Sequence, residues 1–268
     1  MVVTIPSCFE VNDTVNLKKD GSGTIVEEIV LGGQMSQMLG NFAALAGGGA
    51  DAPEIFSENT ANERAEKMGK GVTLTKFEKI DKNGSKGARM TFSFNDINTV
   101  TLASSDGLSG IQKMTPDQQA PKEKPMTFQY KDGVLTISNP SAEPDPEQED
   151  QAKKAAAEMK EKFGGEMPDP ASPEGAQMQA MMMEMFKDMK MSVTLNMEDG
   201  IAETNATHRD GNTVTLAEVD FGKLMEKPEN MKGLNLLDMQ DPAAMQKNLA
   251  KIPGVKVEMK KEITIKVK

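Results

Sequence analysis

Short segments in which apolar and polar residues alternate recur along the chain. This two-residue period is typical of strands with one buried face. Residues 9–17 carry apolar side chains at positions 9, 11, 15 and 17, and the alternation resumes over residues 25–31. Between them lies Lys-Asp-Gly-Ser-Gly at 19–23, which has the composition of a tight turn. We therefore predict a β-hairpin near the N-terminus.

Further hairpins are predicted where Asn-Gly or Asp-Gly separates two such segments. The predicted pairs are 72–80 with 90–94 around Asn83-Gly84 and 126–130 with 135–137 around Asp132-Gly133. Asp199-Gly200 is predicted to turn the chain from a strand at 191–197 into 201–206. A turn at 210–212 leads into a strand that contains Val214 and Leu216. Residues 255–267 carry apolar side chains at positions 255, 257, 259, 263, 265 and 267, so we predict one long strand there, with one face on the core and one in water.

Other segments have the three-to-four-residue apolar spacing of amphipathic helices. The best delimited follows Ser57, a good N-cap, with Ala61, Ala65 and Met68 on one face and a glycine stop at Gly69 or Gly71. Further helices are predicted at 34–46, 151–163, about 176–190, and from Asp241-Pro242 through Ile252.

This order of elements predicts an α+β fold, with a mostly antiparallel sheet built from hairpins and helices packed on one face. Residues 139–150 are acidic and rich in proline, which is typical of a linker. We predict N-terminal hairpins and helices over 8–138 and a linker with a short helix over 139–175. Residues 176–268 then contribute a Met-rich helix and C-terminal strands that complete one domain.

The amino-acid composition argues against several classes of protein. The chain has 31 basic and 41 acidic residues, a formal net charge of −10. This charge argues against nucleic-acid binding, because phosphate neutralisation requires clustered Lys and Arg. The single Cys excludes an internal disulfide framework and a Cys-based zinc cluster. No apolar run approaches the roughly 18 residues typical of a spanning helix.

That single cysteine closes a tetrapeptide with the outline of a bacterial lipobox. Ile5-Pro6-Ser7-Cys8 has an aliphatic residue at −3 and a small residue at −1, although Pro at −2 is atypical. A secretory signal needs a charged start and an apolar stretch of about 7–15 residues. We expect residues 1–7 to be the remnant of such a signal and Cys8 to be lipidated. The alternative is an ordinary buried thiol beside a strand.

A family resemblance points the same way. Residues 8–17 and the turn Asp-Gly-Ser-Gly-Thr at 20–24 resemble the start of many small bacterial envelope lipoproteins, in which the lipidated cysteine leads into a hairpin. Residues 200–206 and 210–216 are similar to the LppM-like lipoprotein domain, which often has Trp where this chain has Leu216. The resemblance implies an α+β ectodomain tethered to a membrane through Cys8, with no known catalytic residues.

The predicted helix at 176–190 is unusually rich in methionine. Thioethers are soft ligands that bind Cu(I), although Met-rich faces more often fill cores or contact partners. The candidate metal ligands are Met178, Met181, Met185 and Met189. The candidate ligand or partner contacts are Met35, Met38 and Phe42 in the helix at 34–46, and Met182 and Phe186 here. Met is frequent throughout, with 22 in the chain, which favours packing over copper.

Candidate catalytic groups are few. His208 is the only histidine, and no nucleophile elbow accompanies it. A carboxylate pair can hydrolyse glycosides. However, the chain has no Trp and one Tyr to form a platform for a sugar ring. The sequence therefore predicts no enzyme, and a carboxylate hydrolase ranks last.

We predict a non-enzymatic lipoprotein of the bacterial cell envelope, whose ectodomain acts as a binding or scaffolding module. Its partners would be the membrane and an envelope protein or lipid, with no cofactor. Two alternatives stay open. One is a Met-rich periplasmic protein that binds Cu(I); the other is a soluble cytosolic protein of unknown role that starts at Met1.

Overall fold

The computed structural model describes residues 9–33, 36–37, 56–82, 84–103, 124–139, 189–225 and 252–268. Strands account for 58% of these residues and helices for 15%. The strands are β1 (Phe9–Leu17), β2 (Gly23–Leu31), β3 (Thr73–Lys82), β4 (Ser85–Phe94), β5 (Thr101–Leu102), β6 (Met126–Lys131), β7 (Val134–Ser138), β8 (Met189–Met197), β9 (Ile201–Thr204), β10 (Arg209–Asp210), β11 (Thr213–Asp220), β12 (Val255–Val257) and β13 (Glu262–Val267). The helices are α1 (Glu58–Met68) and α2 (Phe221–Met225), with a 3-10 turn at Ile97–Thr99.

The strands form two sheets around one core. Sheet A has the order β10-β11-β8-β1-β2-β4-β3, with β12 also paired to β11, and sheet B has the order β5-β6-β7-β13-β9. Buried side chains from both sheets and from α1 belong to the same hydrophobic cluster, which includes Ile25, Phe92, Leu135 and Ile265. A smaller cluster of Leu224, Ile252 and Val255 lies beside α2.

The predicted fold class is wrong in its helical part. The only helix longer than two turns in the described ranges is α1, and the second layer against sheet A is another sheet rather than a layer of helices. The sequence misleads here because hairpins that alternate along the chain between two sheets have the same local pattern as hairpins of a single sheet. Only the partners of each strand distinguish the two arrangements.

The three predicted hairpins are confirmed, whereas the turn at Asp199-Gly200 joins β8 of sheet A to β9 of sheet B and closes no hairpin. Strands β1 and β2 pair in register from Phe9 opposite Leu31 to Leu17 opposite Gly23. Strands β3 and β4 pair on either side of Gly84. Strands β6 and β7 are joined by Asp132 and Gly133, whose φ angles of 52° and 76° are those of a primed hairpin turn.

A parallel pair at the centre of sheet A was not predicted. Strand β8 lies beside β1 from Met189 opposite Phe9 to Met197 opposite Leu17. On the outer face the register brings matched polar side chains together. Ser192 donates to Asn12 at 2.6 Å, the Thr14 and Thr194 hydroxyls lie 3.1 Å apart, and Asn196 donates to Asn16 at 3.1 Å. These bonds lock a pairing that the hydrophobic alternation leaves free to slide by two residues.

The predicted single strand at 255–267 is also wrong. Strand β12 pairs with β11 in sheet A, whereas β13 pairs with β7 and β9 in sheet B. Residues 258–261 carry the chain from one sheet to the other. Apart from Lys261, the alternation spans the crossing, because both strands place one face on apolar neighbours.

The helix predicted after Ser57 is confirmed as α1. The Ser57 hydroxyl accepts a bond from the Thr60 N–H at 3.2 Å, and the Thr60 hydroxyl accepts one from the Ser57 N–H at 3.1 Å, which forms a capping box. Ala61, Ala65 and Met68 are buried as expected, and Gly69 is the C-cap.

Several predicted elements lie wholly or mostly outside the described residues. Of the helix at 34–46, the structure describes only Ser36 and Gln37, which are helical. The helix at 151–163 lies outside the described ranges, as does all but Ile252 of the helix after Asp241. Of the linker, only Asn139 is described, and it is a buried residue rather than a solvated one.

Candidate functional site: a buried carboxyl–arginine cluster

Two acidic residues interrupt the buried faces of β1 and β2. The inward positions of β1 run from Phe9 to Leu17, and Asp13 occupies the middle one. Glu27 occupies the middle inward position of β2 and lies directly opposite Asp13 in the register. Asp13 is 8% exposed and Glu27 is fully buried. The β1–β2 pairing therefore places two carboxyl groups side by side in the core.

Arginine from α1 reaches this pair. The Arg64 Nε donates to Glu27 Oε2 and its Nη2 donates to Glu27 Oε1, so the guanidinium and the carboxylate form a two-bond ion pair. Arg64 is only 6% exposed. The helical spacing that buries Ala61, Ala65 and Met68 also turns Arg64 towards the sheet.

The walls of the cluster are apolar. In the same cross-strand row, Val193 of β8 lies opposite Asp13, and Met90 of β4 lies opposite Glu27. The rows above and below are Val11 with Ile29 and Val15 with Ile25. All six of these side chains belong to the main hydrophobic cluster or pack against it. Water is therefore excluded from the carboxyl pair.

The Asp13 carboxyl accepts fewer hydrogen bonds than the Glu27 carboxylate, both oxygens of which bind Arg64. Its Oδ1 accepts no hydrogen bond from any described residue. Burial raises the pKa of the Asp13 carboxyl well above its ordinary value, and the negative charge of Glu27 raises it further. The positive charge of Arg64 offsets only part of this effect. The arrangement can hold a proton and an ion pair in the core, but its burial leaves no access for a substrate.

A second buried carboxylate lies where the chain crosses between the sheets. Glu258 is 1% exposed and accepts bonds from the Thr207 N–H at 2.5 Å, the Thr207 hydroxyl at 3.1 Å and the Lys260 N–H at 3.2 Å. Burial raises the pKa of this carboxyl, but these bonds and the Lys260 charge outweigh burial and hold it below its ordinary value. Asn139 donates to the Glu258 carbonyl at 2.9 Å. The cluster fixes the crossing from β12 to β13.

The only tyrosine joins the tip of the first hairpin to sheet B. The Tyr130 hydroxyl donates to the Lys19 carbonyl at 2.8 Å, and the Asn98 side chain bonds to the Tyr130 backbone. Burial and the charges of Asp199 and Asp20 raise the pKa of this hydroxyl. The ring packs beside Gly21, whose φ of +86° favours glycine.

Most of the side chains predicted as functional lie outside the described residues: Cys8, Met35, Met38, Phe42, Met178, Met181, Met182, Met185 and Phe186. Met189 is an exception, and its position corrects the C-terminal end of the helix predicted at 176–190. It opens strand β8 opposite Phe9 and packs against the core, so it does not continue a helix from Met178. Copper binding by the other methionines stays a prediction. His208 lies before β10, and its carbonyl accepts a bond from the Thr215 N–H at 2.9 Å.

Sequence reasoning missed Asp13, Glu27, Arg64 and Glu258. The first two left a usable signal, because each interrupts an otherwise apolar alternation at the middle position of its strand. Their equal distance from the hairpin turn also predicts that they face each other. Arg64 gave no comparable signal, and Glu258 fell on the polar side of what looked like one strand.

The described residues contain no helix long and apolar enough to cross a membrane. In the same part of the chain, no three His, Cys, Asp or Glu side chains come together as ligands for a metal ion.

Comparisons with known proteins add little. No protein-family model matches the sequence, and no curated protein matches it. Among solved structures, the chain is similar to the folded domain of the LppM protein of Mycobacterium tuberculosis, determined by NMR. The match has 10% identity and a TM-score of 0.33, and covers 82% of this chain and 87% of that one. A likeness of this degree assigns neither a shared fold nor a shared function.

Proposed function

We propose that this chain is the ectodomain of a non-enzymatic bacterial envelope lipoprotein, anchored through acylated Cys8 and acting as a binding or scaffolding module. The observation that carries the proposal is the tetrapeptide Ile5-Pro6-Ser7-Cys8, which ends directly before β1. The sequence resemblance at 200–206 and 210–216 supports it, and so does the acidic net charge, which disfavours nucleic acid as a partner.

The position of β1 would give an anchor on Cys8 a definite geometry. Strand β1 lies between β2 and β8 in the interior of sheet A, and its first residue, Phe9, is 7% exposed. An acyl group on Cys8 would thus be joined to a central strand without a spacer, since one residue spans about 3.5 Å. The sheet end that contains Phe9, Leu31 and Met189 would then face the bilayer. Multiple acyl chains on one cysteine would make this attachment stable.

The test is the mass of the mature N-terminus. The gene is expressed from its native locus with its upstream sequence and a C-terminal tag, and the protein is extracted from membranes for intact-mass measurement. We expect a chain that starts at Cys8 and carries diacylglyceryl mass. Cys8→Ser should abolish the added mass and membrane attachment, whereas Ser7→Ala, which keeps a small residue at −1, should retain both. An unmodified chain that starts at Met1 and stays out of the membrane fraction would refute the proposal.

A further inference from the structure

We propose that Asp13 retains its proton beside Glu27 at neutral pH, and that this proton strengthens the packing of α1 on sheet A. The helix would then be held more firmly in acid than in alkali. The inference is independent of the lipid anchor, because it concerns only residues in the core.

The charges of the cluster favour a retained proton on Asp13. Two carboxyl groups face each other across β1 and β2, and the register places their Cβ atoms about 5 Å apart. The described residues supply one guanidinium to this pair, and it binds both oxygens of Glu27. An ionised Asp13 would add a negative charge beside Glu27 in an apolar core, and the positive charge that acts on Asp13 is that of Arg64, which is already bound to Glu27. Such a charge is costly, and a buried group without compensation is neutralised by a proton instead.

Among the described residues around Asp13, no other group compensates a negative charge there. Val193 of β8 is apolar, and Arg64 is the only polar residue among the buried side chains of α1. The side chains that sheet B contributes to the core, such as Leu135, Ile137 and Ile265, are apolar too. The charges that act on Asp13 come from Glu27 and Arg64. The Asp13 oxygen that accepts no bond within the described segments fits a protonated group better than a carboxylate.

The contact between α1 and sheet A is therefore linked to the proton on Asp13. If Asp13 ionises, its charge competes with Glu27 for the same guanidinium, and the bidentate pair that attaches α1 to β2 is weakened. The raised pKa sets the direction. The folded protein keeps a proton that the opened state releases, so stability is greatest at acid pH. It falls as the pH rises from the ordinary Asp value of about 3.9 towards the folded value.

Amide hydrogen exchange in α1 tests this. Over that pH range the opening constant of α1 should rise about tenfold per pH unit, after correction for intrinsic base-catalysed exchange. Asp13→Asn mimics the protonated group and should abolish this slope. The control, Glu28→Gln, removes an acid on the opposite face of β2 and should leave the slope unchanged. An equal slope in wild type and Asp13→Asn would overturn the proposal.

A second measurement covers the case in which Asp13→Asn does not fold. Infrared difference spectroscopy of the wild-type protein at neutral pH should show a protonated-carboxyl band that persists until the pH passes the raised pKa. Glu28→Gln should show the same band. A wild-type spectrum with carboxylate bands only would refute the retained proton without any variant of the cluster.

Discussion

Arg64 of α1 binds both carboxylate oxygens of Glu27, and the two side chains are buried between the helix and sheet A. One residue further along β2, Glu28 pairs with Arg89 on the outer face, where Arg89 is 54% exposed. The two ion pairs share their chemistry and differ in burial. Comparing them isolates the effect of solvent.

Arg64→Met should destabilise the fold strongly. The substitution keeps much of the side-chain length but leaves Glu27 buried beside Asp13 without its cation. Breaking a buried pair in this way costs about 3–5 kcal/mol. Arg89→Met breaks the exposed pair and should cost at most about 1 kcal/mol. The measurement is the free energy of unfolding in denaturant. Equal losses in the two variants would show that the Glu27 pair does not hold the helix.

Glu258→Gln should weaken the crossing between the sheets. Glutamine keeps one acceptor oxygen but replaces the other with a donor, so the N–H groups of Thr207 and Lys260 compete for one partner. We expect a loss of about 1–3 kcal/mol near neutral pH. The exposed Glu262→Gln should stay within about 0.5 kcal/mol of wild type.

The contribution of Glu258 to the stability of the fold should depend on pH. Its pKa is lowered in the folded state, so its contribution is present above the ordinary Glu value of about 4.3 and is lost as the pH falls through the folded value. The stability gap between wild type and Glu258→Gln should therefore shrink in acid. A gap that does not change down to acid pH would argue against an ionised carboxylate at the crossing.

Gly87→Ala should disrupt the pairing of β2 with β4. A Cβ at this position would collide with the backbone carbonyl of Ile29, which cannot move without breaking the sheet. The expected loss is about 3 kcal/mol, the upper part of the range for overpacking. Gly33→Ala is the matched control, because its Cβ would lie at an ordinary 3.4 Å from the Gly84 carbonyl oxygen. A tolerated Gly87→Ala, judged by its melting temperature, would contradict this register.

Ser57→Ala should remove the capping box of α1. The substitution deletes the oxygen that accepts the Thr60 N–H and should cost about 1 kcal/mol. Asn59→Ala lies in the same turn, is exposed and takes no part in the box, so it should not destabilise the helix. Exchange protection of the first-turn amides in α1 reports the difference locally. Similar protection in both variants would show that the cap is not used.

Local features of the sequence predicted the hairpins and α1 correctly. Asp132-Gly133 adopts the positive φ angles that a two-residue turn needs, and Ser57 caps its helix. Both features were predictable because each depends on neighbouring residues alone. The same local reading missed the carboxyl cluster. It identified the apolar positions of β1 and β2 but passed over the acids between them.

Long-range relationships could not be derived in this way. Strand β8 lies parallel to β1 although 180 residues separate Asn12 from Ser192, and Arg64 reaches Glu27 across 37 residues. Likewise, Val255–Val257 and Glu262–Val267 have one alternation but join different sheets. The two-residue alternation of a strand does not specify which other strand will pair with it.

The sequence alone therefore determined where most strands and α1 begin and end, because turn geometry, capping and alternation act over a few residues. The tertiary structure decided which sheet each strand joins and which polar groups enter the core. Burial is collective: Asp13 and Glu27 are excluded from water only because two sheets and α1 close over them. That closure brings one arginine to two carboxyl groups, and it makes their protonation part of the fold.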